Sequence, residues 1–315
     1  MTDGLVGYTG FVGSNLTLQH EFGGLFNRAN VADLAGATFD RLVVSAVPAT
    51  MWLANRNPKA DRAGILELFE HLRGARARVV VVVSTIAVYR DPSSGVDETS
   101  DDFEAVRAYG RHRREFEALV EETFTRSLLL RLPALSGRGL KKNFLFDLMN
   151  PVPSYLSADL YSRLRDGAGS GNLPLLEAAF GWDSAATMWK FDRDRFSDGP
   201  EAARLNELCA QAGISALAFT NADSSFQFYD LSRLWSDVTR ALEDGIGVLN
   251  LATEPVTAGE VHDALLGRPM HYRTADLVKQ DMRTRHSGLW GRSDGYIAGR
   301  EEVISSIRDL VGDRA

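Results

Sequence analysis

One cysteine, Cys209, occurs in the 315 residues. An internal disulfide is therefore excluded, as is any multi-cysteine metal site, and no metal is expected. Such cysteine poverty fits a reducing compartment. Positive charge is also scarce: 35 Lys and Arg stand against 42 Asp and Glu, a formal net charge of −7. That balance disfavours a nucleic-acid partner gripped mainly through its phosphates. No apolar run approaches the ~20 residues that cross a bilayer, and the N-terminus shows no charged-then-apolar leader. Repeats and low-complexity tracts are lacking too. These absences together predict a cytoplasmic protein with neither membrane nor nucleic acid as partner.

What is present is an ordinary globular composition, 44% hydrophobic and 24% charged, long enough for one large domain or two fused ones. The most informative stretch is Gly4-Leu5-Val6-Gly7-Tyr8-Thr9-Gly10-Phe11-Val12-Gly13-Ser14-Asn15-Leu16. A short apolar run enters glycines at 7, 10 and 13, and a helical pattern follows. Glycine takes positive φ and lets a ligand approach the backbone. The unpaired N–H groups of a helix start attract an anion such as a pyrophosphate. The spacing is G-x-x-G-x-x-G, which differs from the common G-x-G-x-x-G dinucleotide fingerprint. After the next short strand, where an acid favours a free ribose 2′-hydroxyl and an arginine accommodates a 2′-phosphate, stand Asn27 and Arg28. This leans toward NADP, although Arg28 also reads as a solvated loop residue. Asp33 follows at a place suited to the adenine edge.

The runs 39–47, 79–83 and 127–132 are rich in β-branched and other apolar residues, as strands buried on both faces of a parallel sheet should be. Helices separate them, one with an apolar stripe at 58–74 and a long, highly charged one at 100–123. The first ~135 residues thus alternate β and α, which predicts an α/β fold with a doubly wound, Rossmann-like parallel sheet. The short distance from the second strand to the strand near 40 suggests that one βα unit is trimmed. Residues 1–136 are expected to form the dinucleotide-binding domain. Residues 137–315 are expected to be mainly a smaller inserted and C-terminal substrate lobe, with 226–252 returning to the sheet. Within that lobe Trp182, Trp189 and Phe191 read either as pocket walls or as core.

Chemistry can gather where the strand at 79–83 ends in Ser84-Thr85 and the helix carrying Tyr109 and Arg113 begins. Residues four apart share a helical face, and ligands of such sheets bind beyond the strand ends. A phenol works as acid or base only if neighbouring charge moves its pKa from about 10. His112, flanked by arginines, is expected to be exposed.

These segments resemble the extended short-chain dehydrogenase/reductase family, NAD(P)-dependent epimerases, dehydratases and reductases of nucleotide sugars. The resemblance lies in Gly7, Gly10 and Gly13, in Ser84-Thr-x-x-Val-Tyr89 and in Tyr109-Gly110 with Arg113. It extends to Arg131-Leu-Pro-Ala-Leu-Ser-Gly137, Phe226-Gln-Phe-Tyr-Asp-Leu231 and Leu249-Asn-Leu-Ala-Thr-Glu-Pro-Val-Thr257. It covers roughly 4–265 and implies NAD or NADP as cofactor and a nucleotide-linked sugar as substrate. Tyr109 would be the acid/base and Thr85 would orient the substrate oxygen. Cofactor contacts would come from Gly7, Gly10, Phe11, Val12, Gly13, Arg28, Asp33, Ala46, Tyr109 and Arg113. Asn143 and Lys142 would meet the substrate phosphates. A homodimer is left open. Two positions depart from the family pattern. Arg113 replaces the usual lysine, and Ala134 replaces an asparagine that contacts substrate. The swap at 113 exchanges a compact ammonium for a broad fork. It could acidify Tyr109, or mark a non-catalytic dinucleotide- or nucleotide-sugar-binding protein that keeps the fold. A reductase of small carbonyls is a third reading.

Overall fold

The computed structural model describes residues 2–312 and divides into two compact units. Of the described residues, the first unit comprises 2–140, 225–256 and 279–312; the second comprises 141–224 and 257–278.

The first unit is built on a six-stranded parallel sheet. Its chain order begins β1 (Asp3–Val6), α1 (Phe11–Thr17), β2 (Gly24–Phe26), β3 (Thr38–Val44), α2 (Met51–Arg56) and α3 (Pro58–Leu72). It continues through β4 (Arg76–Thr85), α4 (Ala108–Thr123) and β5 (Ser127–Leu132). Across the sheet the order is β2-β1-β3-β4-β5, with Val248–Asn250 on the far edge. Only a 3-10 turn, Val31–Leu34, intervenes between β2 and β3. The sheet therefore ends at β2, and one βα unit is indeed trimmed.

The continuous valine run of β4 is explained by two cores. Val80 and Val82 face a cluster with Ile65 and Phe69 of α3 and Phe116 and Val120 of α4. Val81 faces the opposite cluster with Leu16 of α1 and Leu234 and Val238 of the helix Leu234–Glu243. Successive side chains of a strand point to opposite faces, so a strand covered on both sides must be apolar throughout.

Two expectations need correction here. The helix placed at 100–123 starts only at Ala108. The carboxylate of Glu104 accepts the N–H groups of Val106 and Arg107, and Phe103 bridges to Tyr89, so this approach segment is irregular. Residues 279–315 fall in the first unit, outside the expected substrate lobe. Met282 and Tyr296 pack with Tyr89 and Ala252, and Gln227 ties the chain down by donating to the Thr253 and Met282 carbonyls.

The second unit has a three-stranded antiparallel sheet, Tyr155–Leu156, Met188–Phe191 and Phe180–Asp183, with the middle one central. Its core joins Leu156, Tyr161, Phe180, Phe191, Leu205 and Leu208. Phe191 is thus core, Trp189 stacks on Tyr161 with ring centres 4.0 Å apart, and Trp182 is exposed. The helix Ala258–Leu266 starts at a capping box, in which Thr257 and Glu260 satisfy each other's amides.

Candidate active site

The glycine turn links β1 to α1 at the carboxyl edge of the sheet. Gly7 has φ +92°, and a Cβ there would lie 2.8 Å from the backbone of Ser45 and Ala46, which follow β3. At Gly13 a Cβ would come within 2.1 Å of the Gly7 carbonyl oxygen. Both positions thus demand glycine, because strand end and helix start are pressed together. Gly10 closes the turn, donating to the Gly7 carbonyl at 3.0 Å, and α1 begins without a side-chain cap. Phe11 and Val12 occupy its first turn, half-buried. The strand order reverses between β1 and β3, the switch point where open α/β sheets bind ligands. Arg28 and Asp33, beyond β2, are both exposed, and the Asn27 amide donates to the Tyr8 hydroxyl at 3.1 Å.

Two strands away, β4 ends in Thr85, whose hydroxyl accepts the Ala87 N–H at 3.2 Å and starts a single 3-10 turn. Helix α4 lies directly against that turn. A Cβ on Gly110 would sit 1.9 Å from the Ala87 carbonyl oxygen, so the glycine after Tyr109 permits the approach. The result is that Tyr109 is almost fully buried, with Thr85 among the groups that act on its phenol. The Asn55 side chain of α2 accepts the Tyr109 N–H at 2.9 Å, fixing the first turn of the helix.

One turn on, Arg113 stacks on Tyr109, with its guanidinium carbon 3.9 Å from the ring centre. Arg113 also donates to the Tyr109 carbonyl at 3.1 Å and the Pro48 carbonyl at 2.5 Å. Asp61 of α3 accepts from both of its terminal nitrogens at 2.6 and 2.9 Å, and from His112 Nδ1–H at 2.8 Å. His112 is therefore buried between two helices and is not the exposed residue expected from its arginine neighbours. Burial raises the Asp61 carboxyl, but the hydrogen bonds from Arg113 and His112 outweigh it and hold the group below its ordinary value. For Tyr109 burial prevails: the phenol is raised despite the Arg113 charge and the Thr85 contact, and Asp61 pushes it the same way. The Arg113 charge does work toward acidification, one of the two readings left open for it, but burial outweighs it. Arg113 Nε is the one buried side-chain nitrogen or oxygen without a partner among the described residues. A buried N–H left over beside Tyr109, together with the glycine cradle, fits a ligand carrying both phosphate and hydroxyl acceptors.

Farther along the same face of α4 stands a network that sequence reasoning missed. Glu117, fully buried, accepts from Ser84 at 2.5 Å and from Arg131 at 2.7 and 3.1 Å. Arg131 donates on to the Tyr89 hydroxyl at 2.6 Å, which reaches Asn250 at 3.2 Å. Burial alone lowers the Arg131 pKa, but Glu117 more than reverses this and keeps it charged. The i, i+4, i+8 spacing of Tyr109, Arg113 and Glu117 was the available signal.

The remaining predicted residues lie in the second unit. Asn143 has φ +92° and ψ 176°, backbone space used almost only by glycine. Its side chain accepts the N–H groups of Leu145 and Phe146 at 2.9 and 3.3 Å, capping α5 (Phe144–Met149). Lys142, next to it, is exposed. In the first turn of α5 burial raises the half-buried Asp147 carboxyl to about 7, with Arg193 offsetting part of the effect. The folded value lies above the unfolded one, so folding favours the protonated form. Stability is then greatest below about pH 4 and declines as pH rises through 7. Asp147→Asn is expected to stabilise by on the order of 2 kcal/mol at pH 8. It should do little at pH 4, and thermal melts at the two pH values check this.

Solved structures align with this chain over nearly its whole length. A UDP-N-acetylglucosamine 4-epimerase from Methanobrevibacter ruminantium, in complex with UDP-N-acetylmuramic acid, has a TM-score of 0.62 and 12% identity. The alignment covers 99% of this chain and 97% of the epimerase. MoeE5, in complex with UDP-glucuronic acid and NAD, gives 0.61 and 16% over 100% of both chains. The chain has the fold of the extended short-chain dehydrogenases/reductases. A dTDP-4-dehydrorhamnose reductase from Bacillus anthracis, in complex with NADP, matches at 0.61 and 10%, with 99% of each chain covered. No family model and no curated protein matches the sequence. The likeness to these structures is therefore one of fold. No helix among the described residues is long and apolar enough to cross a membrane. No group of three or more His, Cys, Asp or Glu among them could hold a metal ion.

Proposed function

We propose that the chain is an NAD(P)-dependent enzyme of the extended short-chain dehydrogenase/reductase family that acts on a nucleotide-linked sugar. The observation that carries this is the placement of a Thr85–Tyr109 pair and a glycine cradle on one edge of one parallel sheet. The strands bearing them, β4 and β1, are two apart, about 10 Å across the sheet. Gly7, Gly10 and Gly13, with Phe11, Val12 and Ala46, would hold the pyrophosphate. Arg113 Nε would donate to a ribose hydroxyl near the reacting end. Arg28 beyond β2, with no acid beside it, favours a 2′-phosphate and hence NADP. A bound nicotinamide would supply hydride chemistry. The chain's own part is to orient the substrate oxygen through Thr85 and to move its proton at Tyr109 Oη. A protein that binds the dinucleotide without turning substrate over is the second reading, favoured by the burial of Arg113 against Asp61 and by the raised phenol.

The direct test is a fluorescence titration with NADH and NADPH. One of them, NADPH by preference, is expected to bind well below millimolar. Gly13→Ala is expected to weaken that binding by roughly tenfold or more, about 1.4 kcal/mol, because the added methyl must open the turn. Absence of binding by both nucleotides removes the proposal.

A further inference from the structure

The cation beside Tyr109 is not a free charge. Arg113 and Asp61 form a bidentate pair whose side chains are 4% and 5% exposed, and Asp61 comes from the first turn of α3. His112 meets the same carboxylate with 3% of its side chain exposed. Removing two charges from water is costly, and a buried ion pair is often no more stabilising than apolar residues of the same volume. Joining α3 to α4 therefore does not by itself explain this arrangement, which sits against the Tyr109 ring. We propose that Asp61 is a positioning residue of the site: it pins the Arg113 guanidinium face-on to the Tyr109 ring and offsets part of its charge, so that Tyr109 enters the reaction as a proton donor.

The geometry favours arginine for this task. A planar fork can present two N–H groups to one carboxylate while its face lies on an aromatic ring, which a lysine ammonium cannot do. The charged and titratable groups around the phenol are few. On α4 they are Arg113 and His112, with Arg111 Nη2 3.4 Å from His112 Nε2. From α3 comes Asp61, whose neighbour Arg62 is paired outward with Glu115. The approach to α4 carries the Glu104–Arg107 pair. The end of β4 adds the neutral Thr85. Asp61 offsets part of the Arg113 charge, burial outweighs the remainder, and the phenol keeps its proton at neutral pH. A phenol in that state is set to give its proton to a substrate oxygen. The inference rests on the reading of Tyr109 as acid/base and is independent of whether the cofactor is NAD or NADP.

The test uses the full chain without cofactor or substrate, so failure of nicotinamide binding and failure of this proposal are separate results. Phenolate absorbance is followed from about pH 7 to 11, and the spectrum of Tyr109→Phe is subtracted to isolate Tyr109. In the unaltered protein Tyr109 is expected to ionise at or above about pH 10. Asp61→Asn keeps an acceptor for Arg113 but no longer offsets its charge, and the midpoint should fall by about one pH unit. Asp61→Glu, which restores the carboxylate, should move it back. An unchanged or higher midpoint in Asp61→Asn overturns the proposal. Should that variant fail to fold, the unaltered protein decides: a Tyr109 midpoint below about pH 9 shows a cation that Asp61 does not offset and overturns it equally.

Discussion

Replacing Tyr109 with phenylalanine is expected to lower turnover of the nucleotide-sugar substrate by ~10²–10⁴-fold, the usual worth of a positioned acid/base group. The substitution is clean because of what surrounds the ring. Arg113 lies over the ring face, 3.9 Å from its centre, and that stack survives the loss of the hydroxyl. The Tyr109 N–H stays bound to Asn55, and Gly110 still admits the helix to the Ala87 carbonyl. Only Oη and its contact with Thr85 disappear. Cofactor affinity, which depends on the glycine turn at β1, should be nearly unchanged, so the loss should fall on turnover and not on nucleotide binding. Equal turnover of Tyr109→Phe and the parent on a panel of nucleotide sugars would remove the phenol from the mechanism. Absence of turnover in both, with the dinucleotide still bound, would favour the non-catalytic reading.

The parts of this site that can be read from sequence are those set by local pattern. Gly7, Gly10 and Gly13 stand next to an apolar run, and the tight turn follows from their spacing. The valines of β4 announce a strand covered on both faces. Tyr109, Arg113 and Glu117 are four apart, so they share a helical face whatever the helix packs on. What that face meets is a matter of topology. Asp61 is 52 residues before Arg113, and Arg131 is 14 after Glu117 on another element. No periodicity connects such pairs; parallel crossovers bring them together. His112 shows the same limit from the other side. Its arginine and glutamate neighbours predict a solvated face, yet a carboxylate on α3 buries it. The start of α4 was misplaced because Asp101, Asp102 and Glu104 are compatible with a helix's first turn, whereas the Glu104 side chain instead caps the amides that precede Ala108. Asn143 was legible as a polar residue before a helix, but its strained backbone was not, since only glycine signals positive φ in a sequence.

The largest stability effect is expected at Arg131. Arg131→Met should cost about 3–5 kcal/mol in urea denaturation, because it strands the Glu117 carboxylate in the interior. Glu117 would keep Ser84 at 2.5 Å and Arg114 at 3.1 Å, but Arg114 is only partly buried and reaches out to Glu121 as well. Tyr89 would lose its 2.6 Å donor while keeping Asn250. Removing both charges, Glu117→Met with Arg131→Met, leaves no orphaned ion, and the double variant should be destabilised by clearly less than the sum of the singles. A coupling of about 1 kcal/mol or more separates a true ion pair from two unrelated core defects. Additive singles, or a cost below about 1 kcal/mol for Arg131→Met, would contradict a paired, desolvated charge. The consequence reaches the chemistry because Glu117 sits two turns from Tyr109 on the same face of α4. The helix is fixed to β5 at one end of that face by Glu117, to α3 in the middle by Arg113, and to the turn after β4 at the other end by Gly110. Loosening the Glu117 anchor in the double variant should therefore leave a folded protein whose Tyr109–Thr85 register is less well held. Its turnover should fall more than its nucleotide affinity, which the turn between β1 and α1 sets.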